Sequence, residues 1–133
     1  MHLDLSPLRQ ALASLERGLV RRRTNLADEE VRDGCIQRFE YCFELSWKML
    51  KRQIELELGN TAEVDGYSKR TLFRVAAERG LIGSPEPWFV YLVQRNKTSH
   101  AYDAQVAMEV AAELEAFAVD AQSLLATLEV RDA

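Results

Sequence analysis

The stretch RFEYCFELSWKMLK, residues 38–51, decides the fold. Phe39, Phe43, Trp47 and Leu50 recur at steps of four and three, the spacing that lines side chains along one face of an α-helix. Ile36 extends this stripe upstream and Ile54 downstream. One long helix is therefore expected, from near Ala27-Asp28 to about Leu58, closed by Gly59-Asn60. A second row, Cys35, Cys42, Met49 and Leu56, repeats at seven-residue spacing and is turned by about 100° or more from the first. A helix with two apolar rows can bury two faces, which makes it the spine of the fold, or it can give one row to a contact between subunits. Gly34 is where its first turns could bend or break. Tyr41 and Leu45 lie off the main stripe, and their positions fit core and interface equally.

Working outward, Ser6-Pro7 reads as a helix start, the serine capping free amides and the proline occupying a position where its missing N–H costs nothing. Leu8, Leu12, Leu15 and Leu19 carry this first helix to about Arg23. Beyond the spine, residues 59–68 form a turn-rich connection. Ser68 then caps a short helix with Leu72, Phe73 and Ala76 facing inward and Gly80 after it. In the fourth helix Ser84 caps and Pro85 opens, and Trp88, Tyr91, Leu92 and Arg95 follow one face. The fifth begins near Asp103 and carries Val110, Leu114, Phe117, Ala121, Leu124 and Leu128. No strand alternation, repeat or low-complexity segment is present. The expected architecture is all-α: an up-and-down bundle of about five helices with a long second helix, a single domain over residues 1–133.

Composition narrows the function. With 47% hydrophobic and 29% charged residues the chain reads as an ordinary soluble protein. Charges interrupt every apolar run, so neither a membrane span nor a signal peptide is expected, and the cytoplasm is the expected compartment. Cys35 and Cys42 would lie roughly 10 Å apart along one helix, beyond disulfide reach. They read as small core residues, and with no histidine or further cysteine at ligand spacing, no metal or cofactor is expected. The net charge of −4 argues against a protein that coats nucleic acid, yet the sign is uneven. Residues 1–26 carry +3 and residues 66–100 carry +4, whereas 27–65 and 101–133 carry −5 and −6. A polyanion site belongs where the two basic segments meet.

The polar stretch RNKTSHAYD, residues 95–103, lies in the second basic segment. Arg95 falls in the last turn of the fourth helix and His100 five residues later. On an unbroken helix that offset is a rotation of about 140°, which would separate the two side chains. A helix break between them lets His100 turn back toward Arg95, pairing a permanent cation with a group that titrates near neutrality. Such a pair suits metal-free RNA cleavage. His100 could move the proton, Arg95 could stabilise charge on the phosphate, and Asn96 could orient either one or the ribose. Activating the ribose 2′-OH would leave a cyclic phosphate, and a symmetric dimer could bring two such sets together. The plainer reading is that the helix dipole favours an arginine at a C-terminus and that histidines are common in turns.

RNKTSHAYD resembles the R-x-x-x-x-H signature of HEPN domains, the higher eukaryotes and prokaryotes nucleotide-binding family, in the branch paired with minimal nucleotidyltransferases. RFEYCFELSWKMLK resembles that branch's long second helix, and with the five-helix plan the resemblance spans nearly the whole chain. It implies an all-helical homodimer with R-x-x-x-x-H sites facing each other across the cleft. It also implies a metal-independent endoribonuclease, the toxin of a toxin–antitoxin pair with a nucleotidyltransferase antitoxin. Arg95 and His100 would be catalytic and Asn96 the polar residue after the arginine. Tyr102 would be the tyrosine to which the partner transfers AMP, placing bulk and negative charge beside Arg95 and His100. The same branch is also described as nucleotidyltransferase substrate-binding subunits. A non-catalytic subunit that presents a nucleotide or other substrate is accordingly the rival reading, supported by the acidic total charge.

Other polar residues have two readings each. Lys97 is the best added phosphate contact because it lies inside the motif, and Lys69, Arg70 and Arg74 could flank the cleft and hold RNA. Arg21, Arg22 and Arg23 could guide RNA or simply end a helix in solvent. Tyr102 could equally be an amphipathic aromatic with its ring on the bundle and its hydroxyl in water. Asp103 reads as the cap of the fifth helix rather than a catalytic acid. His2 reads as a terminal residue without a role.

Overall fold

The computed structural model describes residues 3–132, so His2 lies outside the described residues. Helix α1 (Ser6–Arg23) and helix α2 (Glu29–Leu58) form an antiparallel hairpin. Arg38 reaches across it to donate to the Ser14 carbonyl at 2.8 Å. Near the same level a Cβ on Gly18 would stand 3.1 Å from the Cys35 sulfur, a tight contact that marks the close approach of the two helices there. The expected bounds of α2 hold. Asp28 caps it by accepting from the Glu30 and Val31 amides, and Gly59 ends it in the left-handed conformation with φ of 66°. Gly34 does not interrupt it.

Further segments wrap this spine. Helix α3 (Thr61–Asp65) is a single capped turn inside the connection that reads as loop in the sequence. Helix α4 (Lys69–Glu78) is capped by Ser68, whose hydroxyl accepts from the Thr71 amide, as expected. Helix α5 (Glu86–Lys97) leads through a 3-10 turn (Thr98–His100) to α6 (Ala104–Ala111), and α7 (Leu114–Asp132) returns antiparallel to α1. Arg23 meets Glu115 at 2.6 Å, and toward the other end of α7 Arg9 stands 3.8 Å from Glu129. The expected fifth helix is thus two, broken at Ala112-Glu113, and the bundle has more segments than the five expected.

Two expected caps are absent. Ser6 already lies within α1, and Asp4 instead accepts from the Ser6 amide at 3.0 Å. Ser84 bonds the Glu86 carboxylate rather than a free amide, and Pro85 occupies the cap position.

The core sits where α1, α2, α5 and α7 converge. Both apolar rows of α2 enter it: Ile36, Phe39, Phe43, Leu50 and Ile54 from the first and Cys35, Cys42 and Met49 from the second are all buried. Neither row is therefore free for a subunit contact, which removes that ground for dimerisation; only Leu56 and half-buried Trp47 stand partly outside. Burial pushes both thiols up, Cys42 to about 12, which suits inert core groups. Phe117 on α7 is the hub, with ring centroids 4.9 Å from Phe39, 5.2 Å from Tyr91 and 5.8 Å from Trp88. Such edge-on pairs add to area burial. Tyr91 donates its hydroxyl to Asp120 of α7, and burial together with that carboxylate raises its pKa. These contacts fix α5 against both α2 and α7. No helix among the described residues is long and apolar enough to cross a membrane.

Candidate active site

Fixing α5 positions its C-terminal turn. Arg95 projects from that turn onto α2, where its Nε lies 3.2 Å from Glu44 Oε1 and an Nη lies 3.8 Å from Glu40 Oε2. The Nε pair is out of line for a hydrogen bond, so charge holds the guanidinium there. The hydrogen bond it does make is to the Thr98 hydroxyl, at 3.1 Å. That hydroxyl in turn donates to the Arg95 carbonyl at 2.8 Å. Thr98 thereby satisfies a helix-end carbonyl and steadies the arginine at once, which is why a buried threonine begins the 3-10 turn.

The turn separates α5 from α6, the break expected between Arg95 and His100. The His100 and Asp103 backbones close it, the Asp103 amide donating to the His100 carbonyl at 3.0 Å. Asp103 caps α6 through the Gln105 and Val106 amides, as expected. Lys97 crosses to Glu109 of α6 at 2.9 Å and holds that carboxyl below the usual range. Between these ties His100 is exposed, with its ring edge-on to Tyr102 at 6.1 Å between centroids. Tyr102 is 86% exposed, so its ring does not rest on the bundle. Asn96 is also exposed.

Arg95 faces α2 and His100 faces solvent; the guanidinium's partners are Glu40, Glu44 and Thr98, not His100. The break occurs as expected, but it does not fold His100 onto Arg95. Lys69 and Arg74 lie on α4 rather than at the turn. Lys69 sits over the Trp47 ring at 4.6 Å, and Trp47 donates its indole N–H to Glu44 at 3.0 Å. Arg74 lies 5.3 Å from the centre of the Phe89 ring. Glu40, Glu44 and Thr98 were not expected from the sequence. The available signal was the pair of glutamates one turn apart on α2, flanking the core phenylalanines. Among the described residues no group of three or more histidine, cysteine or acidic side chains is arranged to hold a metal.

A long-spined helical bundle with arginine and histidine on either side of a helix break defines the class: a HEPN-type protein. The chain belongs to the family described as nucleotidyltransferase substrate binding protein like, which it matches over residues 3–130. It is 35% identical to a Haemophilus influenzae protein named probable ribonuclease HepT, over 98% of this chain and 94% of that protein. Among solved structures it resembles a Haemophilus influenzae protein described as having the fold of a substrate-binding domain of a nucleotidyltransferase. That match has a TM-score of 0.89 and 35% identity, covering 95% of this chain and 99% of the other. A Thermus thermophilus protein matches with a TM-score of 0.74 and 28% identity, over 91% and 98% of the respective chains.

Proposed function

We propose that the chain is a cytoplasmic HEPN-type toxin, a metal-independent endoribonuclease that acts as a homodimer and is neutralised by a cognate minimal nucleotidyltransferase. The observation that carries this reading is a held Arg95 in the last turn of α5 followed by an exposed His100 at the end of the 3-10 turn. The likeness to a protein named a probable ribonuclease supports it.

Chemically, His100 takes the proton from the ribose 2′-OH, the 2′-oxygen attacks the adjacent phosphorus, and the bond to the 5′-oxygen breaks. The products are a 2′,3′-cyclic phosphate and a 5′-hydroxyl, the leaving oxygen receiving a proton from an imidazolium or from water. Arg95 stabilises the charge gathering on the non-bridging oxygens, and Asn96 orients the ribose. Lys97, Lys69 and Arg74 hold flanking phosphates. The dimer supplies a second set of the same groups, and Tyr41, Val90 and Val93 are exposed apolar side chains on the two helices that carry Glu44 and Arg95. Transfer of AMP to exposed Tyr102 adds a phosphate against the His100 ring and blocks the RNA path.

A second reading, a non-catalytic substrate- or nucleotide-binding subunit of a nucleotidyltransferase, is favoured by the two carboxylates that already neutralise Arg95. The experiment that separates the two is RNA cleavage in EDTA by the chain purified without its partner. Activity abolished by His100→Ala is expected; nucleotide binding with no cleavage by the unaltered protein would establish the second reading instead.

A further inference from the structure

Several cations of this fold have a carboxylate partner: Arg23 has Glu115, Lys97 has Glu109, and Arg79 and Arg131 share Glu57. The exposed face of α4 is different. Lys69, Arg70 and Arg74 make no ion pair among the described residues, and each lies over an aromatic ring instead. Arg70 stands 4.1 Å and Arg74 5.3 Å from the centre of Phe89, and Lys69 stands 4.6 Å from that of Trp47. Lys48, from α2, approaches the same Trp47 ring at 5.9 Å. Four unneutralised cations therefore converge on two half-buried rings, in a chain whose net charge is −4.

This strip is continuous with the candidate site. The Trp47 indole donates to Glu44 at 3.0 Å, and Glu44 pairs with Arg95 at 3.2 Å. One side chain thus separates the first ring from the guanidinium.

Resting on the RNA reading of the site, we propose that α4 with Trp47 and Phe89 is a track for unpaired RNA running away from the cleavage point. The cations take the phosphates, and in swinging toward them they uncover the rings, on which nucleobases stack. Stacking on a ring requires a free base face, which a duplex hides, so the track selects single-stranded substrate. Cations over rings are suited to this exchange, because an ammonium or guanidinium held by a ring keeps its charge unneutralised, whereas a carboxylate partner would compete with phosphate.

The test uses the full-length His100→Ala protein in EDTA, with a fluorescein-labelled unpaired oligoribonucleotide of about twelve nucleotides, a length that spans such a track. Binding is expected to quench the emission of Trp47, the more exposed of the chain's two tryptophans, and Trp47→Phe should bind comparably without that quench. Replacing Lys69, Arg70 and Arg74 together by glutamine should lower the slope of log affinity against log salt by about 2, at roughly 0.7 per phosphate contact on a single strand. Phe89→Leu, which keeps apolar volume but removes the ring, should weaken binding at least about fivefold. The proposal is overturned by an unchanged salt slope in the triple variant, or by duplex RNA binding as tightly as the unpaired strand. It is also overturned if the triple variant binds RNA normally and loses the nucleotidyltransferase, which would make the strip a protein contact. Unaltered protein that binds and quenches but never cleaves would support the track while removing the nuclease reading.

Discussion

Glu57 offers the sharpest test of how the bundle's far end is held. Its carboxylate accepts from Arg79 at 2.9 Å, from Arg131 at 2.6 Å and from Gln53 at 2.8 Å, tying α2 to the end of α4 and the end of α7. Arg131 also donates to the Arg79 carbonyl at 2.6 Å, so the clamp closes on itself. Glu57→Gln keeps the shape but turns an amide N–H toward one guanidinium. Hydrogen bonds to charged groups contribute about 1.5–3 kcal/mol each, and since the arginines are about a third exposed, roughly 1 kcal/mol for each of the two is the better figure. The loss is then about 2 kcal/mol. With an unfolding entropy of about 2.1 cal/mol/K per residue, the melting temperature should fall by about 7 °C. Burial raises the Glu57 pKa, but the bonds from Gln53, Arg131 and Arg79 outweigh it, and the folded value lies below the ordinary 4.5. A depressed folded pKa means stability that is fully present above the unfolded value and lost as pH falls through the folded one. Calorimetry at equal protein concentration should therefore show the gap between the two proteins constant near neutrality and closing in acid, as the wild-type carboxyl is protonated. A shift under about 2 °C at neutral pH, which that entropy equates with less than about 0.6 kcal/mol, would refute the clamp, and so would a gap unchanged in acid.

Three further outcomes follow from the site and the core. Arg95→Lys loses the Thr98 bond and the planar fork, so kcat for RNA cleavage should drop at least about a hundredfold with little change in melting temperature; retention of roughly a third of the activity would remove Arg95 from the chemistry. Asp103→Ala removes the α6 cap, costing about 1 kcal/mol, and should speed hydrogen exchange at the Gln105 and Val106 amides about fivefold, whereas Asp103→Asn should behave as wild type. Phe117→Ala empties the aromatic hub and should cost about 3–5 kcal/mol in urea unfolding; a loss below about 1.5 kcal/mol would mean that the rings around it close the gap.

What the sequence shows of this fold follows the strength of local signals. The bounds of α2 are legible because thirty residues of helical periodicity lie between an aspartate cap and a left-handed glycine. The break at Ala112-Glu113 is not legible, because Val110, Leu114 and Phe117 keep helical spacing straight through it. Ser6 and Ser84 mislead for another reason: a capping residue type says nothing about whether its own backbone is already helical, and Ser6's is. At the site, Arg95, His100 and the break between them can be read directly from RNKTSHAYD. Their surroundings cannot, since Glu40 and Glu44 come from the middle of α2 and meet Arg95 only through the packing of α5. That packing also sends His100 outward, which spacing alone could not decide.

The ring cluster around Phe117 has a consequence for how this protein can vary. Because α5 is seated by Trp88 and Tyr91 against Phe117, the distance from which Arg95 reaches Glu40 and Glu44 on α2 depends on the thickness of aromatic side chains as well as on the polar contacts at the turn. The cluster works as a spacer gauge. Surface residues around RNKTSHAYD can therefore change to suit another substrate or partner while the arginine keeps its place, whereas exchanging a buried ring for an aliphatic residue would move the guanidinium without touching the site. Drift in specificity should accordingly fall on α4 and the turn, and loss of function should trace to substitutions hidden under α5.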